Sequence, residues 1–332
     1  MRIASLTSAD LINGVYRSIM PCTALAERGH RVLVEDSARP PREALFDFEL
    51  VHIFRATTAP VLKMARRLHD AGVAIVWDND DDLSEIPTKA RRGGLEAQRN
   101  VSGLTAMLAI ADVVTSPSTV LAAHHRARGA RRVEVLENYL FDGSPRPPTR
   151  AQTGRVVLGW TAGDEHVVDL EGLDLRHTFK DLLARHPHLH IESLGMDLRL
   201  PPDRYTHHRY VPHPDLVAHI ARWDIGIAPL SDIPFNRNRS NIKVKEYAAA
   251  GIPWLASATG PYLGMGDRQG GRLVADDAWG QELDRLISSA RDRQKLAKKA
   301  ARWAQSQTIS RNIRGWERVF EEALRAARAR TA

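Results

Sequence analysis

The sequence has a single cysteine, Cys22, and this scarcity narrows the classes of protein that it can encode. One thiol excludes an intrachain disulfide and disfavours a cysteine-based metal centre. No stretch approaches the ~18 uninterrupted apolar residues of a membrane-spanning helix. The N-terminus also lacks the ~7–15-residue apolar segment of a signal peptide. We therefore expect a cytoplasmic protein.

Aromatic residues are also few, at 6%, while hydrophobic and charged residues make up 43% and 26% of the chain. The last two values are those of an ordinary soluble globular protein, which excludes a disordered chain, a collagen-like repeat and a disulfide scaffold. At ~100–200 residues per domain, a length of 332 residues predicts two domains.

Positive charge is concentrated near the C-terminus. From Arg285 to Ala332 the chain has 13 Lys and Arg against 4 Asp and Glu, whereas the residues before Arg285 have 34 against 36. The net charge of +7 therefore belongs to the C-terminal segment. Two interpretations stay open: solvated helix faces, or a docking surface for an anionic acceptor or a membrane.

Twelve short apolar runs rich in β-branched residues predict β-strands, and segments of helical periodicity separate them. The predicted strands are 2–6, 31–35, 50–54, 73–77, 112–116, 132–136, 156–160, 188–194, 208–211, 224–228, 252–256 and 272–274. Strands that alternate with helices imply βαβ units, so the predicted class is α/β with two doubly wound, Rossmann-like domains. In such domains ligands bind at the carboxyl ends of the strands, and with two domains the natural site is the cleft between them.

A linker is predicted at residues 142–155, where three prolines and two glycines stand among polar residues. We place the first domain at residues 1–145 and the second at 146–310. A C-terminal helix follows at 311–332.

The segment 224–262 carries the strongest functional signal. A predicted strand leads into a polar loop, and a helix then begins, with a serine or asparagine as its N-cap. The loop and the helix start contain Arg237, Asn238, Arg239, Ser240, Asn241 and Ile242. A helix N-terminus that follows a strand offers free N–H groups and a positive dipole end, and both attract anions.

Lys243 lies in the first turn of this helix, where a cation opposes the helix dipole. A diphosphate bound beside Arg237, Arg239 and Lys243 would remove this conflict. Glu246, one turn further, could then accept hydrogen bonds from ribose hydroxyls. The alternative is that Lys243 and Lys245 are solvated and Glu246 pairs with a neighbour, and the residues alone leave both readings open.

The run from Asn241 to Tyr262 resembles the donor-site signature of GT-B-fold glycosyltransferases of the family 4 type, the retaining nucleotide-sugar enzymes. The family pattern is roughly K-x-x-E-Y-x-A-x-G-x-P-x-x-A-S. The matching positions are Lys243, Glu246, Tyr247, Ala249, Gly251, Pro253, Ala256 and Ser257. The resemblance extends over nearly the whole chain, through residues 13–17 with Pro21, 111–118, 133–138 and 159–163 with His166 and Asp169.

This resemblance implies two domains that face each other across a cleft, with the nucleotide sugar on the C-terminal domain and the acceptor on the N-terminal domain. It implies that the basic C-terminal helices fold back across both domains. The donor-binding residues that we expect are Trp160, Gly163, His166, Pro212, His213, Arg237, Asn238, Ser240, Asn241, Ile242 and Glu246. Arg237, Arg239 and Lys243 would neutralise the leaving diphosphate, with Arg239 and Lys243 as catalytic candidates, so we expect no metal ion or other cofactor.

One position departs from the family pattern. Many relatives carry a second glutamate eight residues before the ribose glutamate, and here that position is Asn238. An amide can donate a hydrogen bond to a sugar hydroxyl, but it cannot act as a carboxylate nucleophile. A covalent mechanism that uses this position is therefore excluded.

An acidic run directly follows the fourth predicted strand: residues 78–82 read Asp-Asn-Asp-Asp-Asp. The run has three interpretations: a D-x-D metal site as in GT-A transferases, carboxylates that bind an acceptor or take its proton, and an N-cap with first-turn acids. We favour the second, with Asp78 and Asp80 as catalytic candidates and Asp81 as an acceptor contact. Further acceptor contacts are expected from Gly14, Tyr16 and Arg17.

The chain also has 14 histidines, some in local pairs such as His207–His208. We interpret the local groups at 124–125, 186–190 and 207–208 as surface residues rather than metal ligands.

Together with these residues, the resemblance implies a hexosyltransferase that moves a sugar from a UDP- or GDP-type donor to a hydroxyl acceptor with retention. The acceptor stays open among a natural product, an envelope glycan or lipid, and a modified DNA base. The oligomeric state stays open as well. Two alternatives remain: a metal-dependent GT-A enzyme that uses residues 78–82, and a non-catalytic nucleotide- or sugar-binding module.

Overall fold

The computed structural model describes residues 1–7, 12–39, 42–87, 101–143 and 154–332, and its strands form two six-stranded parallel sheets. The first sheet contains β1 (Arg2–Thr7), β2 (Arg31–Asp36), β3 (Leu50–Phe54), β4 (Ala74–Asp78), β5 (Val113–Ser116) and β6 (Val133–Val135), in the order β2-β1-β3-β4-β5-β6. The second contains β7 (Val156–Ala162), β8 (Leu189–Gly195), β9 (Tyr205–His208), β10 (Ile225–Ala228), β11 (Trp254–Ser257) and β12 (Gly271–Val274), in the order β12-β11-β10-β7-β8-β9.

The predicted α/β class with two doubly wound sheets is confirmed. Each predicted strand is present, and only β9 departs from its predicted start by more than two residues. It begins at Tyr205 rather than at residue 208 because the Tyr205 side chain anchors it there. The Tyr205 hydroxyl accepts the Leu198 N–H at 2.8 Å and lies 2.6 Å from the Ser193 hydroxyl.

Thirteen α-helices lie in the described residues and surround the sheets. They are α1 (Ile12–Gly14), α2 (Met20–Glu27), α3 (Ala59–Asp70), α4 (Val101–Ile110), α5 (Thr119–Ala127), α6 (Val167–Gly172), α7 (Leu175–Arg185), α8 (Leu216–Ile220), α9 (Pro234–Arg237), α10 (Ile242–Ala249), α11 (Trp279–Ser288), α12 (Ala290–Ala304) and α13 (Ile309–Thr331). A π-helical turn, Val15–Ile19, joins α1 to α2.

Local sequence explains several helix boundaries. The Ser118 hydroxyl accepts the Leu121 N–H at 3.2 Å and caps α5, and Ser289 caps α12 in the same way through Asp292. Gly29 and Gly72, which follow α2 and α3, have φ angles of 89° and 84°. This left-handed conformation suits glycine and ends each helix as its sequence predicts.

The C-terminal helix α13 packs against the first sheet, although it follows the second sheet in the sequence. Its Ile313, Trp316 and Phe320 are buried in one cluster with residues of β1, β3 and β4. Glu317 pairs with Arg28 at 2.6 Å, which adds a charged contact at the rim of this interface. The chain therefore crosses between the two sheets twice.

The predicted linker at 142–155 and the predicted boundary at 145/146 fall mostly outside the described residues. Within the described residues, every helix is too short or too polar to cross a membrane.

Candidate functional site

A cavity of about 470 Å³ lies between the two sheets. Its lining residues come from the carboxyl ends of strands in both sheets and from the first turn of α10. The first half contributes Ile12, Asn13, Tyr16, Arg55, Asp80 and Asp81, and the second half contributes Gly163, Glu165, His166, Arg239, Ser240, Lys243, Glu246 and others. The cleft position is the one that a parallel α/β topology predicts.

The N-terminus of α10 faces this cavity through Ser240, Ile242 and Lys243. Asn241 occupies the N-cap position, and its side chain makes no capping hydrogen bond to the first turn of the helix. The first-turn N–H groups of α10 are therefore available to an anion. Asn241 itself is not a cavity residue, because its amide lies 3.5 Å from Glu137 on the other side.

Two cations stand at this helix end. The Arg239 guanidinium pairs with the Glu165 carboxylate at 2.9 Å. Burial alone would raise the pKa of Glu165, but the nearby Arg239 charge helps to lower it below its usual value. Lys243 makes no hydrogen bond or salt bridge with any described residue, and burial and the charge of Arg239 lower its pKa. Among the residues that the structure describes, this cation therefore has no hydrogen-bonded anionic partner.

Glu246 lies one turn into α10 and is almost fully buried. The Tyr16 hydroxyl donates a short hydrogen bond to its carboxylate across the cleft. Burial raises the pKa of Glu246 to about 7, although the Tyr16 hydrogen bond and the Lys243 charge oppose this rise. The carboxylate is therefore poised to change its charge near neutral pH.

On the opposite wall, Asp80 and Asp81 both pair with Arg55. Arg55 follows β3 with a φ angle of 56°, which is a strained conformation for a non-glycine residue. The backbone N–H of Arg55 donates to the backbone carbonyl of Asp78 at 2.8 Å. This backbone turn holds the guanidinium beside the two carboxylates. Burial raises the pKa of Asp81 to about 6, against the opposing charge of Arg55.

His166 lines the cavity, and Asp169 holds its ring on the side away from the cavity. Its Nδ1 lies 2.6 Å from Asp169, which also accepts hydrogen bonds from Ser231 N and Asn236 Nδ2. Burial lowers the pKa of His166, so the ring is neutral and Nδ1 donates to Asp169. The other ring nitrogen, Nε2, then carries a lone pair that a ligand hydroxyl can use.

Gly163 lies beside His166 in the loop after β7. A Cβ at this position would come within 2.2 Å of a Glu165 carboxylate oxygen. A larger residue would push Glu165 away from Arg239. The glycine therefore keeps the ion pair at the helix end in place.

The structure corrects the roles expected for Arg17 and Asp78. Both side chains are completely buried, and the Arg17 guanidinium pairs with the Asp78 carboxylate at 2.6 Å. Burial alone would raise the pKa of Asp78, but the Arg17 charge lowers it to about 2. Neither residue lines the cavity, so their positions do not support a catalytic role for Asp78 or an acceptor contact by Arg17.

The structure does not support the D-x-D interpretation of the acidic run either. Asp78 turns inward to Arg17, Asp80 faces the cavity with Arg55, and Asp82 pairs with Arg128 at 3.0 Å. Asp82 also accepts the Ser84 N–H as the N-cap of a short 3-10 helix, which is the third interpretation for that residue. The carboxylates of each D-x-D pair thus point into different surroundings.

Four expected donor contacts lie elsewhere. Trp160 is buried in the core of the second sheet, against His166. Arg237 is exposed and pairs with Asp232 at 2.7 Å. Asn238 is buried and donates to the Pro234 carbonyl. Pro212 lies outside the cavity lining.

Two more expected contacts fall beside the main cavity. His213 lines a neighbouring cavity of about 220 Å³, with its ring against Tyr16. Gly14 is buried at the end of α1 with an ordinary helical φ of −62° and does not line the cavity.

Lys245 is not solvated, in contrast to the alternative interpretation of the helix start. Its ammonium is buried, pairs with Glu137 at 2.7 Å and donates to the Asn138 carbonyl at 2.8 Å. Glu137 and Asn138 follow β6, so this contact joins α10 to the first sheet. The reason is helix geometry, because Lys243 and Lys245 project from different faces of α10.

Several cavity residues are not predicted from the sequence. Arg55, Glu165, Arg209, Tyr210 and Tyr262 line the cavity. Arg55 and Glu165 follow the ends of β3 and β7, so their positions at the carboxyl ends of strands are the signal that could have identified them.

No family model matches this chain, and no curated protein matches it. Solved structures do match. Sucrose-phosphate synthase from Thermosynechococcus elongatus superposes with a TM-score of 0.70 at 16% identity, over 98% of this chain and 100% of that chain. The Anabaena protein HepE in complex with UDP-glucose gives a TM-score of 0.65 at 16% identity, over 96% and 99%.

The chain has the GT-B fold. A third GT-B structure, an alpha-glucosyltransferase in complex with UDP and a 13-mer DNA that contains a central A:G mismatch, gives a TM-score of 0.66 at 13% identity, over 97% of this chain and 99% of that chain. The GT-B architecture, with its two parallel sheets, excludes the GT-A alternative.

Proposed function

We propose that this GT-B chain is a glycosyltransferase that takes its sugar from a nucleoside diphosphate sugar. The observation that carries the proposal is the start of α10, where Arg239 and Lys243 face the cavity and Glu246 lies one turn further. A diphosphate would meet the helix N–H groups and two cations, and ribose hydroxyls would donate to Glu246. The GT-B neighbours solved with UDP and UDP-glucose support this ligand class.

The ion pairs indicate how the site would accommodate the diphosphate. Lys243 can bind a phosphate oxygen without losing a partner, and Arg239 can shift part of its interaction from Glu165 to the ligand. Two cations and a helix N-terminus suffice to stabilise the negative charge that develops as the glycosidic phosphate bond breaks. We therefore propose a reaction that needs no metal ion.

The proposed transfer breaks the bond between the anomeric carbon and the phosphate oxygen and forms one to the acceptor oxygen. The departing phosphate oxygen takes the acceptor proton on the same face of the sugar, which gives retention without a carboxylate nucleophile. The resemblance to the family 4 type supports retention, and asparagine at position 238 is consistent with the lack of a covalent intermediate. The transition state would resemble an oxocarbenium ion, as in glycoside hydrolysis.

Residues on both walls would position the reacting groups. His166 Nε2 can accept a hydrogen bond from a sugar hydroxyl, because Nδ1 is held by Asp169. Asp80 and Asp81 line the cavity opposite the start of α10 and can orient an acceptor hydroxyl. Since the pKa of Asp81 is about 6, its carboxylate is ionised at neutral pH and above, and can accept that bond.

The basic C-terminal helices would provide a second contact for an anionic acceptor. Exposed Arg and Lys side chains on α12 and α13 include Arg291, Lys298, Arg311, Arg318 and Arg325. We propose an acceptor with negative charge, such as DNA or an anionic glycan or lipid. Binding through this surface should weaken steeply as salt concentration rises.

The test of the proposed function is release of nucleoside diphosphate from a panel of UDP-, GDP-, ADP- and dTDP-sugars in the presence of EDTA. We expect turnover of at least one donor, and a loss of ~100-fold in Lys243→Met. Lys180→Met, at an exposed lysine of α7 far from the cavity lining, is the matched control and should keep full activity. Binding of a nucleotide without any turnover, even with excess acceptor, would instead support a non-catalytic binding module.

A further inference from the structure

A cluster of metal-ligating side chains lies in the second half of the chain, outside the cavity lining. It consists of Glu192 on β8, His208 at the end of β9 and His219 on α8. One ligand atom from each of these residues lies within 4.8 Å of the other two. We propose that these three residues bind a divalent transition-metal ion of the Zn²⁺ type, which ties together the two ends of a loop of the cavity.

The distances within the cluster are close to those of a tetrahedral site. With Zn–N and Zn–O bonds of ~2.0–2.1 Å, neighbouring ligand atoms are separated by about 3.4 Å. His208 Nε2 lies 3.4 Å from Glu192 Oε2, and His219 Nε2 lies 4.0 Å from the same oxygen. The two histidine ligand atoms lie within 4.8 Å of each other, so side-chain shifts of at most about 1.4 Å would bring the three ligands to tetrahedral spacing.

The carboxylate and the rings are held in orientation by their surroundings. The Trp223 indole N–H donates to Glu192 Oε2 at 2.9 Å, and Trp223 is completely buried. The two imidazole rings meet edge to face with centroids 4.5 Å apart. Hydrogen bonds of this kind fix a ligating carboxylate in other metal sites.

The donor set selects the kind of ion. Two imidazoles and one carboxylate suit Zn²⁺ and its transition-metal neighbours rather than Mg²⁺ or Ca²⁺, which prefer oxygen ligands alone. Three protein ligands leave a fourth position for water. The His208 side chain is about one-third exposed, so solvent can supply both the ion and that water.

A cation, Arg222, lies beside the cluster. Its guanidinium contacts His219 Nδ1 and lies 3.4 Å from Nε2. A bound metal would repel this charge, so Arg222 must turn away. Its side chain is exposed and can do so at little cost.

Metal binding at this position would act on the large cavity. His208 and His219 flank a segment whose Arg209, Tyr210 and Val211 line the cavity, together with Leu216 at the start of α8. An ion bound by His208, His219 and Glu192 would hold both ends of this segment against β8. We infer that the ion orders one wall of the cavity, whichever ligand that cavity binds.

The experiment uses the full chain without an affinity tag, stripped of metal by a chelator and then titrated with Zn²⁺ by calorimetry and with Co²⁺ by absorption spectroscopy. We expect saturable binding of one equivalent, a tetrahedral Co²⁺ spectrum and a rise in Tm of a few degrees. Hydrogen exchange of residues 209–215 should slow on Zn²⁺ addition. Glu192→Gln keeps the hydrogen bond from Trp223 while weakening ligation, and it should bind Zn²⁺ at least ~10-fold more weakly.

His208→Ala should lose binding as well, whereas His207→Ala is the matched control. His207 is exposed, and its ring contacts the Gly195 carbonyl rather than the cluster. Zn²⁺ binding that is unchanged in His208→Ala and Glu192→Gln would place the ion elsewhere and overturn the proposal. The absence of saturable binding to the unmodified chain would overturn it too.

Discussion

The Tyr16 hydroxyl, from the first half of the chain, donates a hydrogen bond to the carboxylate of Glu246 on α10, and the two side chains close the cleft at this point. The pair forms part of the wall between the large cavity and its smaller neighbour, since both residues line both cavities. A nucleotide whose ribose binds Glu246 would share this carboxylate with Tyr16 or displace the tyrosine. The charge of Glu246 and the closure of the cleft are therefore linked.

The first prediction concerns the stability of Glu246→Gln. The pKa of Glu246 is about 7 in the folded chain and near ~4.3 in an unfolded one, so the folded state binds more protons between these values. Stability then falls as the pH rises through this window. Glu246→Gln should be more stable than the unmodified chain at pH 8, by up to about 3 kcal/mol, and of equal stability at pH 4.

Chemical denaturation at both pH values checks this expectation. Glu321→Gln, at an exposed position of α13, is the control and should show the same small effect at each pH. A Glu246→Gln protein that is less stable at pH 8 would show that the Tyr16 hydrogen bond and the Lys243 charge outweigh the cost of burying the ionised carboxylate.

The second prediction concerns the pH dependence of nucleotide affinity. Ribose hydroxyls donate to the ionised form of Glu246, so binding should lower its pKa. Affinity for the nucleoside diphosphate should therefore rise as the pH increases from 6 to 8. Below the pKa of Glu246 in the unliganded protein, the rise is at most ~10-fold per pH unit. Calorimetry of Glu246→Gln separates this effect from the titration of the phosphate itself, because the variant keeps only the latter. Identical profiles in the two proteins would remove Glu246 from the ribose site.

The third prediction concerns Tyr16→Phe. Loss of the hydroxyl leaves a buried carboxylate without its donor and should lower stability by ~1–3 kcal/mol. Nucleotide affinity should be unchanged or higher, since the ribose no longer competes with a tyrosine. A clear loss of affinity with normal stability would instead mean that Tyr16 contacts the ligand directly.

The fourth prediction separates structural from functional carboxylates. Asp78→Asn leaves Arg17 buried without a counter-charge and should cost ~3–5 kcal/mol of stability, measured by denaturation. Its activity per folded molecule should be nearly normal. Asp80→Asn should show the opposite pattern, with a lower kcat and a smaller loss of stability, because Asp80 lies at the cavity and Arg55 keeps Asp81 as a partner. A fully stable but inactive Asp78→Asn protein would contradict this assignment.

The sequence predicts the sheet architecture and the position of the α10 site, because both depend on local patterns. The apolar runs of the strands, the glycines that end helices and the spacing from Lys243 to Glu246 can each be recognised in a short stretch of consecutive residues. The roles of Arg17 and Asp78 could not be predicted in this way. They are 61 residues apart, and only the packing of β4 against the first helical turns brings them together as a buried pair.

The acidic run illustrates the same limit. Its three aspartates after β4 look alike in the sequence, yet Asp80 and Asp81 face the cavity and Asp82 turns to Arg128. The difference depends on where Arg55, Arg128 and Arg17 lie in the fold. Likewise, Glu192, His208 and His219 are separated by 16 and 11 residues, so no short motif indicates that they meet.

The most direct test of the central claim is calorimetry of UDP, GDP, ADP and dTDP against the unmodified chain and Lys243→Met, all in EDTA. The account predicts that one diphosphate binds the unmodified chain without metal and that Lys243→Met binds it at least ~10-fold more weakly. Binding by none of the four, or binding that appears only after a divalent metal is added, would contradict it.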